Sequence, residues 1–389
     1  MSAIGSGVLA ELRASARVLG ERLAPSLSEM EEEVAAQAAL AGLAEAGLLA
    51  WSVPERDGGA RTSGLAAEYC LSPDVVSVRA LCALRDELAY HSGMLDVMLA
   101  MQGLGSFPLA LGGNARLRQE VLPEVAAGRA VAAFALTEPG AGSSLSDVST
   151  RAERRGDKWV LNGHKTFISN APIARFFSVL ARTGEPSEED AGLSMFFVPS
   201  DAWGLDVQPF EVLAPHPIGD VLFAECEIPG EFLLGQEGQG LELALGTLAR
   251  FRTSVAAAAN GFARRALDES RAHLRARRQS GKPLARHQAL RFDVAEMDVR
   301  LRAAQLLVDE AAEQVDTGAE ATLAVARAKL FATEAAGWSC DRAVQLHGGL
   351  GVKKGTVVER LYRDVRALRI YEGTSEIQKA ILARQLLGD

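Results

Sequence analysis

The feature that most constrains the fold is a change of pattern at two points along the chain. Up to about residue 130 apolar residues recur at helical spacing. Between about 130 and 240 short β-prone segments alternate with Pro- and Gly-containing turns, and beyond Gly240 the helical period returns. Short, regularly spaced strands are typical of a sandwich or barrel, and long helices with short connections are typical of an antiparallel bundle. The sequence therefore predicts a mainly α chain with a central β domain: an N-terminal helical domain (1–130), a middle β-barrel or sandwich (131–240) and a C-terminal four-helix bundle (241–389).

Turn residues place the individual elements within these regions. Helices are predicted at Met30–Leu49, Val78–Leu104 (ended by Pro108), 116–126, 241–279, 286–317, 320–346 and 375–387. Strands are predicted at Ala132–Leu136, Arg151–Arg155, Lys158–Leu161, Lys165–Ser169, Phe176–Leu180, Leu193–Val198, Val207–Phe210 and Val221–Cys226. Gly156-Asp157 and Asn162-Gly163 are dipeptides that favour tight hairpin turns, so a turn is expected at each of them.

Charge and composition exclude several classes of protein. The chain has a formal net charge of −9 and a pI of about 5.4, which argues against a dedicated nucleic-acid or anionic-membrane binder. Cys70, Cys82, Cys226 and Cys340 lie far apart, which favours buried thiols in a reducing compartment. The N-terminus lacks the pattern of a signal peptide, and no apolar run approaches the ~18 residues that span a bilayer. We therefore expect a cytoplasmic protein without a membrane segment.

Common catalytic motifs are missing. Gly140-Ala-Gly142 begins like a dinucleotide fingerprint, but Leu145 occupies the third glycine position and no βαβ unit surrounds it. The six histidines show no metal-ligand spacing, so no metal site is predicted. These absences favour chemistry that an organic cofactor supplies.

Five segments, in order along the chain, carry a family resemblance. They are Ala135–Ser143 (ALTEPGAGS), Leu161–Asn170 (LNGHKTFISN), Val344–Gly351 (VQLHGGLG), Leu361–Asp364 (LYRD) and Tyr371–Gln378 (YEGTSEIQ). Together they resemble the acyl-CoA dehydrogenase flavoprotein family over nearly the whole chain. The resemblance implies an FAD-dependent oxidoreductase that acts on CH–CH groups and makes an α,β-unsaturated thioester from an acyl thioester.

The resemblance also implies a set of FAD-binding residues. Thr137 and Ser169 would offer hydroxyls to the polar edges of the flavin, Phe167 would lie against its ring, and Arg277 would bind the pyrophosphate through its fork of N–H donors. Without the resemblance, Phe167 would simply be β-domain core. The full implied set is Phe134, Leu136, Thr137, Ser143, Phe167, Ser169, Arg277, Gln279, His287, Gln288, Gln345, Gly348, Gly349, Thr374 and Glu376. Since the family takes some of these residues from a neighbouring subunit, a homotetramer or homodimer is expected.

Glu372 is the predicted catalytic residue. Its position resembles that of the family's base, which removes a proton from the carbon next to the thioester carbonyl. Such a base needs a carboxylate whose pKa is raised in a pocket with little water. The alternative is a helix N-terminal acid, because Thr374-Ser375 begins a predicted helix. One family branch places its base at the position of Phe251, but residues 243–256 contain no acid.

Four residues are predicted to contact the substrate: Ser143, Arg252, Tyr371 and Gly373. Arg252 could alternatively form a buried or interfacial ion pair. Ala249, Ser144 and the Ala214–Gly219 loop depart from the family pattern around the carrier end of the thioester. Both CoA and a carrier protein, bearing an acyl or aminoacyl group, therefore stay open as carriers.

The acyl group is expected to be short or branched, because Phe251 is bulky. Met94, Met98 and Met101 lie at helical spacing, which is typical of plain core, and the resemblance places them on the acyl-pocket wall. The expected electron acceptor is an electron-transfer flavoprotein, and an oxidase that uses oxygen is the alternative. A nucleic-acid-associated flavoprotein is a further alternative, supported only by the arginines between Arg264 and Arg291.

Overall fold

The computed structural model describes residues 3–61, 72–186 and 191–388, with side chains from residue 7 onwards. Cys70 lies outside the described residues. The three other cysteines are free and buried, as the sequence predicts. Burial raises the pKa of each of these thiols, that of Cys226 to about 11.

The N-terminal region is helical. Its helices are α1 (Ala3–Leu27), α2 (Glu32–Glu45), α3 (Val78–His91), α4 (Gly93–Gly112) and α5 (Ala115–Ala126). They enclose a core of leucines and alanines from α1 to α4.

The single helix predicted over Val78–Leu104 is wrong, because the chain divides at Ser92. The Ser92 side chain accepts a hydrogen bond from the backbone N–H of Leu95 and so caps a new helix. Pro108 does not end α4. Three residues before the proline, the Ser178 hydroxyl of a neighbouring strand donates to the Gly105 carbonyl at 2.7 Å, so this carbonyl has a partner outside the helix.

Within the described residues, α4 is the one helix long and apolar enough to cross a bilayer, contrary to the sequence expectation. Its apolar window is 83% buried inside the protein. The helix is therefore placed as the central core element of the N-terminal region.

The middle region is one eight-stranded sheet. Its strands are β1 (Ala132–Ala135), β2 (Arg151–Arg155), β3 (Lys158–Ser169), β4 (Phe176–Arg182), β5 (Leu193–Pro199), β6 (Leu205–Pro209), β7 (Ile218–Pro229) and β8 (Leu233–Leu234). The order is β6-β7-β3-β2-β4-β5-β8, and β1 pairs in parallel with β4.

Of the two predicted hairpin turns in the middle region, one forms. Gly156-Asp157 joins β2 to β3, with Arg155 paired to Lys158. The turn predicted at Asn162-Gly163 is wrong, because β3 runs through both residues with an irregularity in its pairing to β7. The Asn162 side chain bonds the backbone N–H and the carboxylate of Glu225 across this irregularity, each at 2.8 Å. Asn162 therefore lies in a β-bulge and stabilises it through its side chain, rather than forming a turn.

The C-terminal region is a bundle of long helices. They are α6 (Gly240–Ala276), α7 (Gln288–Asp316), α8 (Thr322–His347), α9 (Val357–Arg366) and α10 (Ser375–Leu387). The sequence did not predict α9. The predicted extension of the first helix to Gln279 is wrong, because β9 (Arg278–Gln279) pairs with β10 (Lys282–Pro283) in a short hairpin. Buried alanines of α6 and α8 let these helices pack closely.

Candidate active site

A short loop between α9 and α10 carries the predicted base. Glu372 has φ of +51° and Gly373 has φ of +90°, so two consecutive residues adopt left-handed backbone. This conformation is unfavourable for a glutamate and persists only where the surroundings enforce it. Thr374 is the N-cap of α10 and accepts from the Ile377 N–H. Glu372 therefore lies outside the helix, and the acid in its first turn is Glu376.

Three side chains hold the carbonyl groups of this loop. Arg252 Nε of α6 donates to the Glu372 carbonyl at 2.9 Å. Lys329 Nζ of α8 donates to the Gly373 carbonyl at 2.6 Å, and Gln378 Nε2 donates to the same oxygen at 3.1 Å. Charged donors make the stronger hydrogen bonds, so α6 and α8 together enforce the loop conformation.

Glu334 of α8 braces the loop from outside. Its carboxylate accepts from the Ser375 hydroxyl at 2.6 Å and from Arg369 Nη1 at 3.1 Å. Arg369 and Ser375 lie on either side of the loop, so one carboxylate bridges its two ends.

The Glu372 carboxylate is buried and incompletely bonded. Its Oε2 has no hydrogen-bond partner among the described residues. Burial raises the pKa of Glu372, while the charges of Arg85, Arg252 and Lys329 oppose that rise. Burial also lowers the pKa of Lys329 to about 8, against the charge of Glu372. A desolvated carboxylate with an unused oxygen is suited to accept a proton.

Sequence reasoning did not identify Lys329. It is fully buried among the alanines of α8. A lysine on the apolar face of a predicted helix is the signal that could have found it, because such a charge needs a buried partner. Sequence reasoning also did not identify Arg85 of α3, which is likewise a fully buried charged residue.

Phe167 is an exposed aromatic residue near the end of β3, where the pairing with β7 is irregular between Lys165 and Ile168. It is 62% exposed, has φ of +55° and meets the ring of Phe210 edge-on, with 5.3 Å between the ring centroids. The core interpretation of Phe167 is therefore wrong. The Thr166 N–H donates to the Thr137 carbonyl at 2.9 Å, which places Thr137 beside Phe167.

Ser169, two residues further along β3, bonds His216 from the Ala214–Gly219 loop. Ser169 Oγ and His216 Nε2 are 2.9 Å apart, and His216 Nδ1 is 2.9 Å from the Ala214 carbonyl. Because a carbonyl only accepts, Nδ1 carries the proton, and the neutral ring accepts the Ser169 hydroxyl proton at Nε2. Burial lowers the pKa of His216, which favours this neutral form. Sequence reasoning noted the unusual loop but not this histidine.

A second group of predicted residues gathers at the other end of α8. Gln279 lies on β9, two residues after Arg277, and His287 is the N-cap of α7. His287 Nε2 is buried without a hydrogen-bond partner among the described residues. Gln345, at the end of α8, is 16 residues from Lys329, which corresponds to about 24 Å along the helix. The predicted FAD residues at this end of α8 therefore lie well away from the Glu372 loop, which Lys329 holds.

The remaining predicted residues have the following surroundings. Leu136 is buried, and its carbonyl accepts a hydrogen bond from Lys165 Nζ. Phe134 is half-buried in β1. The exposed residues of the set are Ser143, Gln288, Gly348, Gly349 and Glu376. A Cβ added at Gly348 or Gly349 would meet no atom within 4 Å. Open glycines, an unpaired histidine nitrogen and an exposed aromatic ring fit a long dinucleotide with an aromatic head.

Two of the three methionines at helical spacing face different cores. Met98 is fully buried in the N-terminal core, whereas Met101 is partly buried and packs against the cluster that includes Phe107 and Phe251. The core interpretation therefore holds for Met98.

Comparison with known proteins covers nearly the whole chain. Family profiles of the acyl-CoA dehydrogenase N-terminal, middle and C-terminal domains match residues 9–129, 133–226 and 238–387. Cyclohexane-1-carbonyl-CoA dehydrogenase of Geobacter metallireducens is 36% identical over 310 residues, 79% of this chain and 81% of that protein. The caffeyl-CoA reductase-Etf complex subunit CarC of Acetobacterium woodii is 38% identical over 310 residues, 78% of this chain and 80% of that protein. The solved FAD complex of PigA is 25% identical, with a TM-score of 0.86 over 99% of this chain and 98% of that one.

The chain therefore belongs to the acyl-CoA dehydrogenase family. This confirms the predicted family and the predicted fold class of helical, β and helical regions.

Proposed function

We propose that the protein is an FAD-dependent acyl-thioester dehydrogenase in which Glu372 is the base. The chemistry that bound FAD would supply is acceptance of a hydride from the β carbon. The Glu372 carboxylate takes the α proton, and the product is an α,β-unsaturated thioester. The observation that carries the proposal is the buried, unpartnered Oε2 of Glu372 in a loop that charged side chains hold.

The residues around Glu372 hold its backbone in place. Arg252 and Lys329 bind main-chain carbonyls rather than the carboxylate, so they fix the backbone and leave the side chain available. We propose that the Glu372 backbone N–H binds the thioester oxygen, where negative charge develops as the α proton leaves. Ser143, Tyr371 and Gly373 would line the thioester path, with Arg252 beside the base.

The FAD residues would act as two groups. Phe167, Ser169 and Thr137, with Phe134 and Leu136 on β1 and at its end, would hold the flavin end. The exposed residues Arg277, Gln279, Gln345, Gly348 and Gly349, with His287 and Gln288, would bind the pyrophosphate and adenosine end. Because Gln345 lies about 24 Å along α8 from Lys329, which holds the Glu372 loop, we propose that the second group serves a neighbouring subunit in a homotetramer or homodimer. Thr374 and Glu376, at the start of α10, would contribute near the flavin.

An electron-transfer flavoprotein is the proposed electron acceptor. The similar CarC protein carries Etf, an electron-transfer flavoprotein, in the name of its complex. Rapid reoxidation of the substrate-reduced enzyme by air would instead select an oxidase.

The deciding experiment is anaerobic bleaching of the flavin by a panel of acyl thioesters. Each acyl group is offered both on CoA and on a phosphopantetheinyl carrier protein. Bleaching by at least one thioester supports the proposal, and the faster carrier identifies the natural one. A protein that cannot be loaded with FAD, or whose flavin no thioester bleaches, contradicts it.

The acyl chain is expected to be short because Phe251 is bulky and directly precedes Arg252, which holds the loop. Its ring is fully buried, packs edge-on against Phe107 at 5.5 Å, and occupies the position where a Cβ on Gly103 would lie. We expect butyryl thioesters to be turned over faster than octanoyl ones. In Phe251→Ala the octanoyl-to-butyryl ratio of kcat/KM should rise by about tenfold or more, since one methylene alone changes such ratios this much.

The matched control for this test is Phe292→Ala, because Phe292 is 62% exposed on α7. The control should leave the ratio unchanged. Best turnover of octanoyl by the unmodified enzyme would contradict the role of Phe251. Phe251→Leu, a milder change, serves if the alanine variant does not fold.

The pH profile of kcat/KM should show two limbs. Activity requires ionised Glu372, and burial raises the pKa of this carboxyl, so the acid limb should lie above the ordinary glutamate value of 4.5. Lys329 has a pKa of about 8, so above that pH it loses the charge that strengthens its bond to Gly373, and activity should fall. Lys329→Arg keeps the charge and should remove the alkaline limb. An alkaline limb near pH 8 that persists in this variant would assign it to another group.

A further inference from the structure

The hydrogen bond between Ser169 and His216 determines what the Ser169 hydroxyl can offer to another molecule. His216 Nδ1 is 2.9 Å from the Ala214 carbonyl, which only accepts, so Nδ1 carries the proton of the neutral ring. Nε2, 2.9 Å from Ser169 Oγ, is then an acceptor. The Ser169 hydroxyl therefore donates its single proton to His216 and retains only lone pairs for any further partner.

The loop that carries His216 is fixed on both sides of the histidine. The Asn170 N–H, directly after Ser169, donates to the Pro217 carbonyl at 2.7 Å. Arg363 Nη1 of α9 donates to the Leu213 carbonyl at 3.3 Å. The fold therefore holds the imidazole against Ser169 and sets the direction of their hydrogen bond.

Ser169 and Phe167 face the same side of β3. Phe167 is exposed and Ser169 half-buried, whereas Ile168 and Asn170 are buried. Side chains alternate between the two faces of a strand, so the two outward-facing residues stand next to each other. The ring of Phe210, which lies between β6 and β7 as His216 does, meets Phe167 edge-on. A flavin against Phe167 would therefore have Ser169 at one of its polar edges.

The polar edges of a flavin hold both acceptors and donors. The acceptors are carbonyl oxygens and unprotonated ring nitrogens, and the donors are N–H groups. Acceptance of a hydride brings two electrons and one hydrogen together, and so turns one ring nitrogen from an acceptor into an N–H donor. A hydroxyl that can only accept has no bond to offer this nitrogen before the hydride arrives and has one to offer afterwards.

We propose that His216 is a positioning residue that keeps the Ser169 hydroxyl as an acceptor, so that Ser169 binds the N–H formed by hydride transfer and favours the reduced flavin. This inference rests on the proposed function and adds a preferred direction to it, because removal of hydride from the thioester is favoured over its return. A hydroxyl free to rotate would serve both forms of the flavin equally.

The test is the midpoint potential of the flavin in the FAD-loaded enzyme, measured anaerobically against a redox dye without any thioester. One hydrogen bond should favour the reduced form by about three- to tenfold, which corresponds to about 15–30 mV for a two-electron couple. His216→Ala and Ser169→Ala should each lower the potential by this amount. The double variant should lower it no further, because His216 acts only through Ser169.

Two further variants are the controls. Leu213→Ala changes an exposed side chain of the same loop, whose contact with α9 is made by the backbone carbonyl, and should leave the potential unchanged. Ser169→Thr retains a hydroxyl and should retain the potential of the unmodified enzyme. A loop that only needed its packing would not distinguish the threonine from the alanine in this way.

An unchanged potential in His216→Ala would overturn the inference, even with weaker FAD binding, because Ser169 would then bind a group that hydride transfer does not alter. Additive shifts in the double variant would overturn it as well. If His216→Ala does not fold, Ser169→Ala decides, and a potential that does not fall contradicts the inference. Flavin bleaching by a thioester tests the proposed function separately, and a protein that cannot be loaded with FAD fails both.

Discussion

Replacement of Glu372 by Gln is expected to slow flavin bleaching by a short acyl thioester by about two to four orders of magnitude, the usual contribution of a general base. The amide cannot accept the α proton at neutral pH. The loop should keep its shape, because Arg252 and Lys329 bind backbone carbonyls that the substitution does not change. The measurement is single-turnover bleaching under anaerobic conditions, with FAD content determined from the absorbance of the purified protein.

Glu313→Gln is the matched control for this prediction. Glu313 is an exposed residue of α7, far along the chain from the loop, and the same change of charge there should leave both bleaching and FAD content unaltered. If Glu372→Gln reacts at the rate of the unmodified enzyme, another group removes the proton. If the variant cannot retain FAD, the residue contributes to cofactor binding.

Replacement of Arg85 by Met alone is expected to lower the free energy of unfolding by about 3–5 kcal/mol, since it leaves Asp96 as a buried charge without its partner. The change should be visible as a lower urea midpoint of the FAD-loaded enzyme, followed by circular dichroism. Adding Asp96→Asn should restore most of the loss, because no uncompensated charge then remains.

Arg116→Met is the control for the stability prediction. Arg116 pairs with Glu120 one turn away on α5, but both side chains are more than half exposed, and such pairs contribute about 0–1 kcal/mol. A loss for Arg85→Met no larger than that for Arg116→Met would mean that water reaches the Arg85 pair.

The sequence predicted the overall architecture because that architecture depends on local periodicity. Each of the three patterns, helical, β and helical again, extends over more than a hundred residues. A wrong assignment at a single residue therefore does not alter the predicted architecture. Individual boundaries depend on single side chains. The cap at Ser92 and the bulge at Asn162 were misassigned because each depends on side-chain hydrogen bonds, one at Ser92 and two at Asn162, that the residue types alone do not specify.

The site was predictable where its residues are contiguous. Tyr371, Glu372 and Gly373 lie in one motif, and the left-handed backbone at the last two agrees with a glycine in that place. Lys329 and His216 were missed because their partners, Gly373 and Ser169, are 44 and 47 residues away in sequence. Arg85 was missed because its partners lie on two other helices, Asp96 on α4 and Ser254 on α6. Such contacts are products of the tertiary fold, and no short pattern encodes them.

The left-handed backbone at Glu372 also restricts how this position can change during evolution. Residues branched at Cβ are strongly disfavoured at such φ values, whereas Asn, Asp and Gly accept them readily. A descendant of this chain that abandons the carboxylate is therefore expected to carry Asn or Gly there rather than Val, Ile or Thr. In sequence comparisons of descendants, Asn or Gly at position 372 within an otherwise unchanged loop sequence would thus identify lineages that kept the loop after losing the catalytic carboxylate.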